Sequence, residues 1–268
     1  MNKRSRVCAN IVMTLIIIWI LIPLLATVIY SLFSDWTGIV PHGFTLENYA
    51  NIFSNTRFLT AIYQTILLCI IPILITIIIV LLALFVVTVF FPKLEKYLQI
   101  VCMIPYTIQG VILSVSILAL YGKSGTVLGQ RMVMLIGAYC IIILPHIYQG
   151  IRNSMHAINM PMLLEAAEML GASKLYAFFR VIVPNIITGI TVSSLLAVGI
   201  LFGDYVIIRN LSGSGTTNVQ VFLYQAMKRS SSESAAVFVV IMLMTFIISA
   251  VVLYMQSRNK FEKIRKGG

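Results

Sequence analysis

The sequence predicts an all-α fold: a polytopic membrane protein of about six transmembrane helices. Two bulk observations and one pattern predict it. Hydrophobic residues make up 60% of the chain and charged residues only 10%, whereas soluble domains carry about a quarter charged residues. Mean hydropathy is +1.00. Apolar runs near the roughly 20 residues that a helix needs to cross hydrocarbon recur along the chain. Lipid is therefore the expected solvent for most of the surface.

The first run covers 11–33. It follows a basic segment, but it is too long for a signal peptide and has no small-residue cleavage site, so it reads as a retained span. The second lies within 61–91, long enough to tilt or to extend past the bilayer. The third is expected over 99–121, the fourth over 132–150, the fifth over 181–208 and the sixth over 235–256. Pro23, Pro72, Pro105 and Pro145 fall in or near these runs. Each removes a backbone donor and bends or shapes its helix. In the first outer loop Trp36, Phe44 and Tyr49 suit an interfacial belt. Thr45-Leu46-Glu47-Asn48-Tyr49 reads as the start of a short surface helix capped by Thr45. The last outer segment, 209–234, is rich in serine, threonine and glycine, and within it Val219–Met227 is apolar enough to fold back as a short helix.

An even number of spans puts both termini on one side. With the N-terminus inside, 13 of the 19 lysines and arginines lie on inner segments, and the outer ones hold only Arg57, Lys123, Arg131, Arg209, Lys228 and Arg229. Both termini are therefore expected in the cytoplasm. This placement also accounts for the net charge of +11. No basic helix carries interleaved aromatics, so nucleic acid is not an expected partner.

The longest break in apolar sequence on the inner side is Met160–Pro184, MPMLLEAAEMLGASKLYAFFRVIVP. Asn159 or Met160 can cap a helix start, and Pro161 suits a first turn, where its missing N–H is not needed. Leu163, Ala166, Ala167 and Leu170 follow helical spacing on one face, with Glu165 and Glu168 opposite. Gly171 suits a left-handed helix end and Ser173 a new cap. Two short helices with a bend between them are expected. A helix too short to span, set between two spans, lies on or beneath the membrane. Periodicity alone describes an ordinary interfacial helix equally well.

Glu165-Ala166-Ala167, three residues, Gly171, nine residues, then Val181-x-Val183-Pro184 resembles the EAA loop of ABC importer permeases, whose pattern is EAA-x3-G-x9-I-x-L-P. The glutamate, both alanines, the glycine and the proline match at full spacing, with two valines in place of isoleucine and leucine. The resemblance implies a type I ABC importer transmembrane domain. Its organisation would be a first helix and outer loop at 1–58, a five-helix core at 59–254 with coupling helices at about 160–180, and a basic cytoplasmic tail at 255–268. It implies that Glu165, Ala166, Ala167, Gly171 and Pro184 couple to the ATPase. Implied partners are two ATP-binding cassette subunits, a second permease (identical or, as expected here, homologous), an extracytoplasmic solute-binding protein and the bilayer of a bacterial inner membrane. ATP and magnesium would be bound by the partner subunit.

Within the chain itself no catalytic constellation is evident. His42, His146 and His156 are scattered and form no metal-binding spacing. Cys8, Cys69, Cys102 and Cys140 contain no CxxC and read as inert packing residues. Ser212-Gly213-Ser214-Gly215-Thr216-Thr217 lacks the Gly-Lys-Ser/Thr ending of a phosphate loop and faces outside. No enzyme activity, metal or cofactor of its own is expected. Glu165 and Glu168 have no third group and read as contacts that set orientation on a partner. Asp204, in Leu201-Phe202-Gly203-Asp204-Tyr205-Val206, is acidic in apolar sequence and should face protein or water. It either lines the substrate path and favours a cation or amine, or makes a structural pair, for instance with Arg209, or sits at headgroup level.

The outer segment Phe44–Tyr49 and the late Gly203-Asp204-Tyr205-Val206 followed by Ser212–Thr217 resemble the spermidine/putrescine permease branch, which implies a polyamine substrate. Related branches carry ferric iron, 2-aminoethylphosphonate, thiamine or sugars. An ion-coupled secondary transporter would need internal repeats or interrupted helices with buried ion ligands, for which Asp204 alone is thin support. An intramembrane enzyme would need a catalytic pair inside the spans.

Overall fold

The structure, a computed structural model, describes residues 3–35, 42–108, 110–213 and 216–266. Side chains of 3–9, 35, 42 and 255–266 lie outside the description. The expectations for Trp36, Cys8, His42, Ser214, Gly215 and the side chains of the basic tail fall on those positions.

Four single helices are long and apolar enough to cross a membrane: Asn10–Ser31, Thr56–Phe90, Arg131–His156 and Ser231–Tyr254. Two bent pairs bring the number to six among the described residues. Counted as one span each, the bent pairs complete the six expected spans, and neither is a single rod. The third is the pair Pro92–Thr107 and Gly110–Tyr121, meeting at 99°. Pro105 sits in a short 3-10 turn, Ile104–Thr107, and Ile108 is extended, which ends the first helix of the pair. The fifth is the pair Lys174–Asn185 and Ile187–Phe202, meeting at 66°. The expected fifth span, 181–208, therefore contains a bend near its start and ends early, at Phe202. Pro23 and Pro72, in contrast, lie inside continuous helices.

The chain forms two compact units. One comprises Met1–Leu59 with Phe222–Met244. Helix α1 (Lys3–Ser31) is apolar all round beyond Asn10, with its spanning window exposed, as suits a membrane span. It leads into strands β1 (Phe33–Asp35) and β2 (His42–Phe44), paired antiparallel with Phe33 opposite Phe44. An all-α expectation misses this ribbon because three-residue strands are too short to show alternation. The expected surface helix follows as α2 (Glu47–Ser54). Its cap residue is Leu46, while the Thr45 hydroxyl accepts from the Glu47 amide at 3.1 Å. Ser31 and Tyr49 hydroxyls pair at 2.6 Å, and the ring of buried Phe58 packs on Phe222 at 5.1 Å.

The other unit comprises Thr60–Val221 with Thr245–Gly268. It holds most of α3 (Thr56–Phe90), then α4 (Glu95–Met103), α5 (Gly110–Tyr121), α6 (Arg131–His156), α7 (Met160–Met169), α8 (Lys174–Ala177), α9 (Val183–Asn185), α10 (Ile187–Phe202) and α11 (Val206–Ser212). The fold-back helix expected at Val219–Met227 is α12, with those bounds, and the last helix, α13, runs Ser231–Lys266.

Helix α6 is the hub of this unit, contacting α4, α5, α10 and α11. Leu135, Tyr139, Ile143, Ile147 and Ile151 recur every fourth residue and are fully buried. The most extensive packing is between α6 and α10, and small residues make it possible. A Cβ at Gly150 would overlap Ser193, and one at Gly189 would overlap Ser154 and approach the Gly150 carbonyl to 2.8 Å. Each helix thus carries a Gly-x-x-x-Ser face, and each glycine receives the other helix's serine. Lipid tails are as apolar as leucine, so close van der Waals contact of this kind, rather than the hydrophobic effect, drives association of membrane helices. Ser193 returns its hydroxyl to its own helix, to the carbonyls of Gly189 at 2.8 Å and Ile190 at 3.0 Å.

Gly189→Leu is expected to separate α6 from α10 at a cost of about 1–3 kcal/mol or more, read as a lower unfolding temperature in detergent. Gly137→Ala, where an added Cβ meets nothing, should hold or slightly raise that temperature, since alanine favours the helix interior.

Candidate functional site

The EAA segment folds as two short helices joined by a tight corner, each joint made locally. Pro161 lies in the first turn of α7, and the Asn159 side chain accepts from the Met162 amide at 3.5 Å. At the other end Gly171 takes φ +83°. The Gly171 amide donates to the Glu168 carbonyl at 2.9 Å and the Ala172 amide to the Ala167 carbonyl at 3.0 Å. This pair of bonds is the Schellman arrangement, and glycine is the residue that adopts its left-handed position without a Cβ penalty. Ser173 then caps α8, its hydroxyl accepting from the Tyr176 amide at 3.3 Å. Lys174 lies 3.7 Å from Glu168 across the corner.

The faces of α7 differ from the expected stripe of Leu163, Ala166, Ala167 and Leu170. Met160, Leu164 and Ala167 are buried. Leu163 is half-buried, and Ala166 and Glu165 are exposed. Met169 and Leu170 are 90% and 89% exposed. Spacing alone predicts the stripe, and spacing does not say which side of the arc meets the bundle. The two alanines therefore have different surroundings: Ala167 packs inward, and Ala166 lies on an exposed apolar patch with Met162, Met169 and Leu170. Among the described residues no ion pair involves Glu165.

One anchor holds the end of the helix pair to the bundle, and a second holds α6 just ahead of it. Beyond α8 the chain widens into a π turn, Phe178–Ile182, with Phe178 and Ile182 buried. Phe85 of α3 packs on Phe178 at 5.0 Å and on Phe179 at 6.5 Å. Pro184 then sits in α9, next to the bend. Asn185 donates its side-chain amide to the Val181 carbonyl at 2.9 Å, and the Ile186 amide is shared between the carbonyls of Ile182 and Val183, both at 3.2 Å.

The second anchor joins α4 to the last turn of α6. Arg152 Nε donates to Glu95 Oε1 at 2.9 Å, and His156 Nε2 lies 3.1 Å from the same oxygen. A cavity of about 570 Å³ opens beside this cluster, and Met160 and Pro161 of α7 also line it. Nothing in the sequence marks Glu95 as a site residue, and His156 reads from sequence only as a surface histidine. Partners 57 and 61 residues apart leave no local signal.

Asp204 falls between α10 and α11 and is half-buried. Its carboxylate accepts from the Tyr139 hydroxyl at 2.9 Å and from the amides of Ile207 at 3.3 Å and Ile208 at 3.2 Å. Asn218 donates to its backbone carbonyl at 2.7 Å. No ion pair joins it to Arg209 among the described residues. Asp204 thus caps α11 and ties it to α6. The following segment is held in the same way: Arg131 donates to the Leu211 carbonyl at 3.2 Å, the Thr217 amide to Gln64 at 2.8 Å and the Val219 amide to Thr65 at 3.0 Å. His42 aside, the histidines, cysteines and carboxylates described form no group of three able to hold a metal ion. Cys69, Cys102 and Cys140 are free thiols.

These features stand beside three sets of similarities. A family model described as "Binding-protein-dependent transport system inner membrane component" matches residues 66–261. A permease protein named for a 2-aminoethylphosphonate transport system, PhnV, of Salmonella typhimurium is 21% identical over 92% of this chain and 93% of its own length. PhnV of Salmonella choleraesuis matches to the same extent. Among solved structures, a bacterial ABC transporter involved in import of the acidic polysaccharide alginate superposes with a TM-score of 0.72 at 18% identity, covering 96% of each chain. The fold, the EAA segment at its corner and the family match converge: this chain belongs to the binding-protein-dependent transport system inner membrane components, and is a multi-pass permease subunit of an ABC importer.

Proposed function

We propose that this permease forms half of the path for a small phosphonate solute of the 2-aminoethylphosphonate class, and that ATPase subunits drive it through α7 and α8. The observation that carries the substrate reading is the near full-length similarity to permeases named for 2-aminoethylphosphonate. The polyamine reading has no such support among these relatives. Asp204, the residue that favoured a cation, has its carboxylate engaged by three donors from the chain itself, so we assign it to holding α11.

In the coupling reading, ATP binding by two partner subunits closes them, and the exposed patch of Met162, Ala166, Met169 and Leu170 moves with them. Glu165 sets orientation on the ATPase. The Gly171 corner, closed by two backbone bonds and the Lys174–Glu168 contact, makes α7 and α8 one lever. The π turn and the bend at Pro184–Ile186 pass its motion to α10, whose contact with α6 carries it into the bundle. A second permease faces this one, an extracytoplasmic binding protein delivers the solute, and both termini lie in the cytoplasm of the bacterial cell. Alternating access is then a population shift driven by contacts that differ between two states.

Reconstitution with its ATPase, partner permease and binding protein should give ATP-dependent uptake of labelled 2-aminoethylphosphonate. Uptake of putrescine and not of the phosphonate would overturn the substrate reading. Glu165→Lys and Gly171→Pro should insert normally yet lower uptake at least about tenfold, equivalent to roughly 1.4 kcal/mol of lost coupling. Normal uptake by well-expressed variants would remove the lever. Asp204→Ala is expected to lower stability by about 1–2 kcal/mol through the lost cap, and Tyr139→Phe by about 1 kcal/mol, both read by thermal unfolding in detergent. Selective loss of putrescine uptake in Asp204→Asn at unchanged stability would instead return Asp204 to the path.

A further inference from the structure

A face of a membrane helix meets lipid, another helix or water, and lipid does not accommodate amide or imidazole groups cheaply. Helix α6 carries such groups on one open face. His146, Gln149 and Asn153 follow i, i+3, i+7 spacing; His146 is half-buried and the other two are exposed. His146 stands ten residues before the end of the helix at His156, about 15 Å along a rod of about 39 Å. That places it within a hydrocarbon layer of about 30 Å. The turn after α4 adds to this face: Tyr106 is 51% exposed and its ring lies 4.9 Å from that of His146. The side chains are under-satisfied within the chain. Gln149 Nε2 reaches only the Met103 sulfur, at 3.4 Å, a weak acceptor. Asn153 makes no side-chain hydrogen bond among the described residues. His146 Nδ1 is enclosed, which leaves Nε2 as the ring nitrogen open to a solute.

The chemistry of the face is polar and uncharged. It carries no free charge: a phenol, an imidazole and two amides offer neutral donors and acceptors, and no acidic residue occurs in 101–110 or 142–156. The carboxylate of α4, Glu95, is occupied by Arg152 and His156. We propose that Tyr106, His146, Gln149 and Asn153 form a solute-contacting surface of the translocation path, which receives the oxyanion end of the transported molecule. This rests on the phosphonate reading above for the identity of the anion, though not for the polarity of the face. With no full charge free on this face, a phosphonate would find several neutral donors and would not be held so strongly as to be trapped.

The test uses the assembled transporter in proteoliposomes, with Gln149→Cys and Asn153→Cys probed by a charged, membrane-impermeant thiol reagent. Trp19→Cys on α1, 79% exposed along an all-apolar helix, is the lipid-facing control. The cysteine at 149 is expected to react at least tenfold faster than the one at 19, and 2-aminoethylphosphonate delivered by the binding protein should slow that reaction. His146→Leu and Gln149→Leu should lower uptake at least tenfold, with His146→Gln and Gln149→Asn recovering part of it, which a merely structural role would not give. Equal, slow labelling at 149 and 19 would overturn the proposal. So would disulfide cross-linking of position 149 to the second permease without solute protection, because the face would then be a helix interface. Fast labelling at 149 in a transporter that takes up no phosphonate would support the polar path and overturn the anion assignment.

Discussion

The close approach of α6 and α10 is the contact on which the rest of the molecule depends. In water, burial of leucine would hold two helices together. In lipid that driving force is absent, and what remains is dispersion between surfaces near enough to touch. Gly150 and Ser154 on one helix, set against Gly189 and Ser193 on the other, remove the side chains that would keep the backbones apart. The consequence reaches both ends of the unit. Helix α10 begins just past the bend that carries the EAA segment, and it ends just before Asp204, which caps α11. The packed interface between these two ends therefore has little slack.

The EAA segment shows how a short amphipathic element is made rigid without a core of its own. Helices of four to ten residues are marginal in isolation. Here each terminus is satisfied locally, by Asn159, by the Gly171 corner and by Ser173. One face of α7, with Met160, Leu164 and Ala167, is buried, and the turn that follows α8 is held by aromatic packing between Phe85 and Phe178. The opposite face keeps large apolar side chains in the open. That is unfavourable for the chain alone and suited to a surface that another subunit covers.

Bends matter as much as packing. Pro72 lies inside an unbroken helix, whereas Pro105 and Pro184 lie at breaks of 99° and 66°. The residue type is the same, and the surroundings differ. At Pro105 a 3-10 turn runs into an extended residue. Beside Pro184 a π turn widens the helix and an asparagine side chain takes up a backbone carbonyl. Broken helices are tolerated at membrane depth where side chains satisfy the freed backbone groups.

What the sequence alone determined is what local chemistry enforces: the apolar runs, the fold-back helix at Val219–Met227, the caps at Asn159 and Ser173, the left-handed glycine at 171 and the spacing of the EAA pattern. Each depends on neighbours a few residues away, so each leaves its mark in consecutive letters. Only the tertiary structure decided which proline breaks a span, which of Ala166 and Ala167 faces inward, and that Asp204 caps a helix instead of pairing with Arg209. It also joined Glu95 to Arg152 and His156. The long-range parts of those outcomes, such as Tyr139 on Asp204 and Glu95 on Arg152, are set by groups tens of residues distant, and by how near α6 and α10 are allowed to come. A one-dimensional pattern carries neither quantity.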